Sequence, residues 1–417
     1  APTPAPTATP APTSALYVST SGSDANAGTS SSPLRTVSAA ASRAKAGMTI
    51  FINAGTYYEQ VITRVAGAAG QEIVFKSHNG TATIDGSNLS WSVGGNQNQG
   101  LFELRHPYVR LDGLKITNSK NTGVLLNADN LTVDNCEVSF TQRHAISTET
   151  GRQTAAGGTM IRNITLSNNR VHDSTLGGNG QGQPISLIAD GFLVARNTVY
   201  NNKEIGIDIW LGARHGEVVD NDVYGNTLTS GIFIDGASYV RVHRNRVRGN
   251  LHGIGISSED SRYVTNYVWV YNNLIYDHTG GNAMFIWEPS TTGAGGVNYS
   301  RFFNNTAYNN KNSVYLDGKG VSRGNEVFNN AGPSTGTIYQ TGPDSYSISN
   351  NVWNSSGWVN AGARDFRLVA GAPQIDKGKA IPAMSDDAGR TFTVPTDFGL
   401  LSRVTGALPD AGAWEYR

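Results

Sequence analysis

The chain has 417 residues, 32 Lys plus Arg against 32 Asp plus Glu, 49 glycines and one cysteine. Zero net charge argues against nucleic acid, an anionic membrane surface or a strongly polyanionic partner. One cysteine excludes an intramolecular disulfide, and no run of about twenty apolar residues is present to span a membrane as a helix.

Residues 1–14, APTPAPTATPAPTS, form a Pro/Thr/Ala tract with nothing to bury, and such composition gives an extended, semi-rigid spacer. It is expected to have joined this chain to another module upstream. A strand is expected at Tyr17–Ser19, then an amphipathic helix at Val37–Ala46 that plugs the open end of a strand stack. Asp24-x-Asn26-x-Gly28 begins like a calcium loop, but Arg35 stands where the twelfth-position Glu would be, so it is read as a turn. The first strand of the stack is expected at Thr49–Asn53.

From Gly100 to Val352 one phrase repeats: a short G-I-x-I strand, a polar corner, a second strand ending in Asn-x-Val, and a turn ending in Gly-Asn or Asn-Asn. The strands are Gly123–Leu126, Ala145–Ser147, Pro184–Leu187, Gly206–Ile209, Gly231–Ile234, Gly253–Ile256, Ala283–Ile286 and Ser313–Leu316. Asn169, Asn197, Asn221, Asn245 and Asn273 mark the corner at steps of 24 to 28 residues. A fixed period in that range, with no helical pattern between strands, specifies a β-helix of stacked coils. Alternation sends Ile205, Ile207 and Ile209 into the bore, and Asp208 and Trp210 outward. The Asn amides are expected to stack into a ladder and to tolerate left-handed backbone, with Cys136 taking an Asn place one coil earlier. Met160, Trp269 and Phe302 read as packing residues, and the sequons at Asn130, Asn163 and Asn304 as ladder positions. Thr150–Thr159 and Gly177–Gln183 read as loops inserted beside the strands.

The opening YVSTSGSDANAGTSSSPLRTV…AKAGMTIFINAGTYYE, the IDGS at Ile84–Ser87 and the closing DFRLVAGAPQIDKGKAI…PDAGAWEYR resemble secreted right-handed parallel β-helix proteins of the pectate-lyase-like superfamily. That group includes polysaccharide lyases, glycoside hydrolases, uronate epimerases and carbohydrate-binding modules found beside xylan-degrading enzymes. The resemblance implies an all-β, right-handed parallel β-helix of about ten coils over residues 15–417, with a C-terminal cap from about residue 356. It also implies an extracellular protein working on glycans.

Two outward columns are predicted on the G-I-x-I face. One runs Ser147, Ser186, Asp208, Phe233, Gly255, Met284, Tyr315; the other runs Glu149, Trp210, Asp235, Ser257, Trp287, Asp317. Exposed contiguous aromatics mark an interaction surface, and flat rings between polar acceptors suit sugars. Candidate ligand-binding residues are therefore Trp210, Trp287, Phe233, Tyr315, Asp208, Asp235, Glu288 and Glu149. Asp208 and Asp235, about 8 Å apart by strand spacing, have the separation of an inverting hydrolase pair. Lys203 at the edge of the same face is the candidate base of a calcium-dependent lyase. Neither the Asp cluster of calcium-dependent β-helix pectate lyases nor the motif set of β-helix polygalacturonases is evident; His252-Gly253 is only a fragment of the latter.

Three readings stay open: a carbohydrate-binding module for a plant cell-wall glycan such as xylan, a polysaccharide-cleaving enzyme, or a structural surface protein, which would not explain the tryptophans. No cofactor is expected unless a lyase calls for calcium. The expected partners are a polysaccharide and a linked module, with no nucleic acid and no membrane span.

Overall fold

The computed structural model describes residues 15–90, 99–148, 159–177, 182–289, 295–333 and 336–417. The linker tract, Glu149, most of the Thr150–Thr159 loop and the middle of the Gly177–Gln183 loop lie outside the described residues. Within them the chain winds as a right-handed parallel β-helix. One face is an 11-stranded sheet running from Val61–Ile62 to Gly336–Thr341, every pairing parallel. The remaining faces merge around a corner into a 22-stranded sheet, also parallel. No helix among the described residues is long and apolar enough to cross a membrane.

The bore is built as the alternation requires. Ile185, Ile207, Ile232, Ile254, Met284 and Val314 pair in register along the 11-stranded sheet, and all are fully buried. Each inward side chain rests on its equivalent one coil below, so one apolar column closes what a single coil would leave open. Two expectations are corrected here. Met284 fills the bore in register with Ile254, and Phe285 takes its place outside. Ile205 precedes the strand Ile207–Trp210 and is only half-buried, lining a surface cleft instead of the core.

The asparagine ladder is present and longer than the sequence series. Asn169, Asn197, Asn221, Asn245, Asn273, Asn305, Asn330 and Asn351 each receive, on Oδ1, the side-chain amide of the Asn one coil earlier (the backbone N–H of Cys136 in the case of Asn169), mostly at 2.9 Å. The same amide donates to a strand carbonyl of the coil before, as Asn221 Nδ2 does to the Val194 carbonyl at 2.9 Å. Cys136 begins this ladder, its N–H donating to Asn169 Oδ1 at 2.9 Å. The left-handed backbone falls elsewhere than expected. It belongs to the preceding residue, as at Asn168, Arg196, Asp220, Arg244 and Asn272, which frees the ladder Asn to point inward. A second ladder, Asn202, Asn226 and Asn250, satisfies the next corner.

The cap helix is shorter than expected, Val37–Arg43. Thr36 caps it, Glu59 accepts the N–H groups of Val37 and Ser38, and Val37, Ala40 and Ala41 face the end of the bore. Asp24 accepts from the Arg35 and Thr36 backbone N–H groups, both at 2.9 Å, so the calcium-like stretch is a turn tying down this cap. Leu16–Val18 is itself the first strand of the stack, pairing with the first residues of Thr49–Tyr57. At the other end, residues from Trp358 onward lie along the flank of the 22-stranded sheet. There Trp358, Phe366 and Leu368 pack on Leu274 and Tyr276, and Met384 packs with Trp269, Phe303 and Phe328.

Candidate functional site

The outward side of the 11-stranded sheet carries the two predicted columns. Register places Ser147, Ser186, Asp208, Phe233, Gly255, Phe285, Tyr315 and Tyr339 in the first. Trp210, Asp235, Ser257 and Trp287 follow one another in the second. Phe233 and Phe285 have their ring centroids 5.9 Å apart, nearly parallel, and Gly255 lies between them. A Cβ on Gly255 would come within 2.2 Å of Phe285 and 2.7 Å of Phe233. Glycine there lets two rings from alternate coils close over the sheet. Tyr315 and Tyr339 continue the row, stacked at 5.6 Å.

Phe233, Phe285 and Tyr315 floor and edge a cleft of about 420 Å³, whose walls include Leu228, Leu251, His252, Glu259 and Trp287. Leu228 and Leu251 come from the turns before two successive strands and are exposed, as is Trp287 at 39%. His252 accepts the Asn282 backbone N–H at Nδ1 (3.0 Å), so the proton of the neutral ring sits on Nε2. Burial lowers the pKa of His252, assisted by Lys311, which favours that neutral form.

Three carboxyl groups converge beside the cleft. Asp208 is 3% exposed, and its pKa is driven well above the usual carboxylate range by burial first, then by Asp235 and Glu259. It has no hydrogen-bond partner among the described residues. Ser186 Oγ, in register beside it, is likewise buried without one. Asp235 is also buried and is pushed up to about 6 by desolvation, although its Oδ1 accepts the Glu259 N–H at 2.7 Å. Glu259 stands two residues past the strand His252–Ser257 and lines the cleft. The walls around its carboxyl, and then Asp235, push it up to about 7.

The predicted site residues thus divide. Phe233, Tyr315 and Trp287 line the cleft, and Asp208 and Asp235 flank it on the same face. Trp210 shares the column of Trp287, three strands away, but is half-buried with its indole N–H unpartnered instead of fully solvent-facing. Glu288 does not join the ligand face: it is fully buried, accepting from Ser322 Oγ and, at 2.9 Å, from the Lys319 N–H. Alternation explains this, because Glu288 comes directly after outward Trp287. Lys203 is exposed in the turn before Ile207–Trp210 and is not among the cleft-lining residues. Glu149 lies outside the described residues.

Sequence reasoning did not place Phe285 in the site, and it counted Glu259 among the acidic residues without giving it a role. The first was legible by strict alternation from Ile254; the second needed the turn after Ser257 to be folded back beside Asp235. No group of three or more His, Cys, Asp or Glu side chains among the described residues is placed to hold a metal.

Comparison with known proteins agrees with this architecture. The family described as Pel9A-like, right handed beta helix region, matches residues 16–319. The uncharacterized protein YwoF of Bacillus subtilis (strain 168) is 28% identical over 302 residues, 63% of this chain and 62% of that protein. The chain therefore spans less than two thirds of the length of that relative. Among solved structures, pectate lyase Pel9A superposes with a TM-score of 0.60 at 18% identity, covering 97% of this chain and 96% of that one. The PL6 family alginate lyase AlyGC gives 0.54 at 15% identity, covering 89% of this chain and 56% of that one. At these identities the two structures show a shared fold, while the family match covers most of the chain: it belongs to the Pel9A-like right-handed β-helix family.

Proposed function

We propose that this protein is an extracellular polysaccharide-binding β-helix that holds a neutral glycan, with xylan the first ligand to test, along the cleft floored by Phe233 and Phe285. The observation that carries this reading is the composition of the cleft. Aromatic rings (Phe285, Trp287, Tyr315) and aliphatic rims (Leu228, Leu251) surround a few polar groups, and no Lys or Arg is among its lining residues. Sugar rings stack their C–H faces on such rings, while Glu259, Asn282 and Ser230 offer partners for hydroxyls. A polyuronate would bring carboxylates against Glu259 and Asp235 with no cation among the described lining residues to offset the repulsion. The Pro/Thr tract at residues 1–14 suits a tether to a second module, and the names of the lyases sharing the fold point to glycan work in general.

Affinity electrophoresis in gels containing xylan, other neutral glycans or polygalacturonate tests the reading. Retardation is expected in a neutral glycan and not in polygalacturonate. Trp287→Ala should weaken retention several-fold or more, since an aromatic contact contributes about 0.5–1.5 kcal/mol beyond its area. It should cost little stability, because Trp287 is exposed. Retention in polygalacturonate alone would overturn the neutral-glycan reading.

A further inference from the structure

We propose that the cleft also cleaves the glycan it binds, by hydrolysis, with Glu259 donating the proton to the leaving glycosidic oxygen and Asp235 accepting a proton from the attacking water. The inference rests on the binding reading above and deepens it. Four observations carry it. Glu259 is the acidic residue that lines the cleft, alongside Trp287 and Tyr315, where a bound sugar would lie. Asp235 is fixed relative to it, because the Glu259 N–H donates to Asp235 Oδ1 at 2.7 Å. That bond favours the ionised form of Asp235 and leaves the Glu259 carboxyl, which has no partner among the described residues, free to hold its proton. Finally, Asp208 and Ser186 are buried in register on the same outward face, Ser186 Oγ with no partner among the described residues, where a purely structural column would be free to carry apolar residues.

The step balances. The bond from the anomeric carbon to the bridging oxygen breaks, and that oxygen takes the Glu259 proton. The oxygen of a solvent water bonds to the anomeric carbon, and its released proton passes to the Asp235 carboxylate. Proton exchange with solvent then restores both groups. Two carboxyls in different protonation states are what this chemistry requires. Burial raises both groups here, the Glu259 N–H restrains the rise of Asp235, and the Asp235 charge adds to that of Glu259, leaving Asp235 at about 6 and Glu259 at about 7. The other charged or titratable neighbours are Asp208 on one side, Asp260 beside Asp235, Arg262 holding Asp260, and neutral His252 at the cleft wall with Lys311 acting on it. Lys203, the alternative base, is exposed outside the cleft.

The test uses the full chain with each neutral glycan that retards it, measuring new reducing ends and, separately, ultraviolet-absorbing unsaturated ends. Wild type should release reducing ends without unsaturation, in the presence of a chelator. The rate should peak between the two titrations, falling in acid as Asp235 protonates and in alkali as Glu259 loses its proton. Glu259→Gln should lower the rate by roughly 10²–10⁴-fold while gel retention stays within a few-fold, which also reports an intact fold. Asp235→Asn should lose the rate and the acid limb together. Retention without any cleavage by wild type would overturn the hydrolytic inference and leave the binding reading standing. Unsaturated products, or a Glu259→Gln variant as fast as wild type, would overturn it equally. Neither retention nor cleavage in any neutral glycan would remove both.

Discussion

At the scale of single residues, the face is governed by what burial does to carboxyl groups. Asp235 is nearly inaccessible, and its pKa of about 6 in the folded protein lies above the ordinary value of 3.8. The native state therefore binds a proton more tightly than the unfolded chain. The stabilising contribution is complete below about pH 4 and is lost as pH rises through about 6. Asp235→Asn should abolish this dependence while keeping a carbonyl oxygen for the Glu259 N–H. At pH 8 the variant should be more stable than wild type by up to about 3 kcal/mol, taking 1.36 kcal/mol per pKa unit. Near pH 4 the two should coincide. Urea unfolding at both values checks this, and a variant less stable at pH 8 would show that Asp235 is held ionised by something other than the described residues. A protein that keeps three such carboxyls together accepts a loss of stability at neutral pH.

At the scale of the element, each coil is held by its corners as much as by its strands. A parallel strand of three or four residues has few ladder bonds, and the turn between faces leaves backbone groups that no strand can reach. Asn221 serves two of them and two neighbouring side chains: its Oδ1 accepts from the Asn197 backbone N–H and amide, and its Nδ2 donates to the Val194 carbonyl and to Asn245 Oδ1. Replacing it with Ala leaves the buried Asn197 N–H and Val194 carbonyl unpaired. At about 1–3 kcal/mol per orphaned group, Asn221→Ala should cost roughly 3 kcal/mol, read as a lower urea midpoint. A loss under about 0.5 kcal/mol would mean that water replaces the amide at that corner. The left-handed residue before each ladder Asn explains why Arg196 and Arg244 can stand where Asn168 and Asn272 do elsewhere. The ladder demands a particular side chain; the preceding position demands only a backbone conformation.

At the scale of the molecule, a solenoid contacts mainly its neighbours, so the parts should open separately. The C-terminal segment is the clearest case. Phe366 is buried against Tyr276, Tyr308 and Trp358, joining the segment to the flank of the coils. Phe366→Ala should remove about 3–5 kcal/mol of packing from that contact alone. Hydrogen exchange should show residues from Trp358 onward losing protection, with the strands from Ile185–Leu187 to Asn312–Asp317 unchanged. Loss of protection throughout would mean that the segment and the coils fold as one cooperative unit. The flank it covers includes Trp269, Phe303 and Phe328, an apolar strip unsuited to an exposed sheet. The cleft is on the other sheet, clear of this covering.

Periodicity by itself determined the β-helix, the strands of its cleft-bearing face, the inward isoleucines and the first asparagine ladder, because each coil obeys the same two-residue alternation and the same corner. It also placed Asp208, Asp235, Phe233, Trp287 and Tyr315 on one outward surface. What tertiary structure alone decided depends on positions outside that repeat. Ile205 leaves the bore because the strand begins two residues later, Glu288 turns inward because it comes directly after an outward tryptophan, and Trp210 is half-covered by its surroundings. Glu259 joins Asp235 because a turn closes with a backbone hydrogen bond, and no period encodes that closure. Register is set by a pattern repeated along the chain; the pairing of carboxyls is set by how one loop folds against one strand, which only the packed molecule specifies.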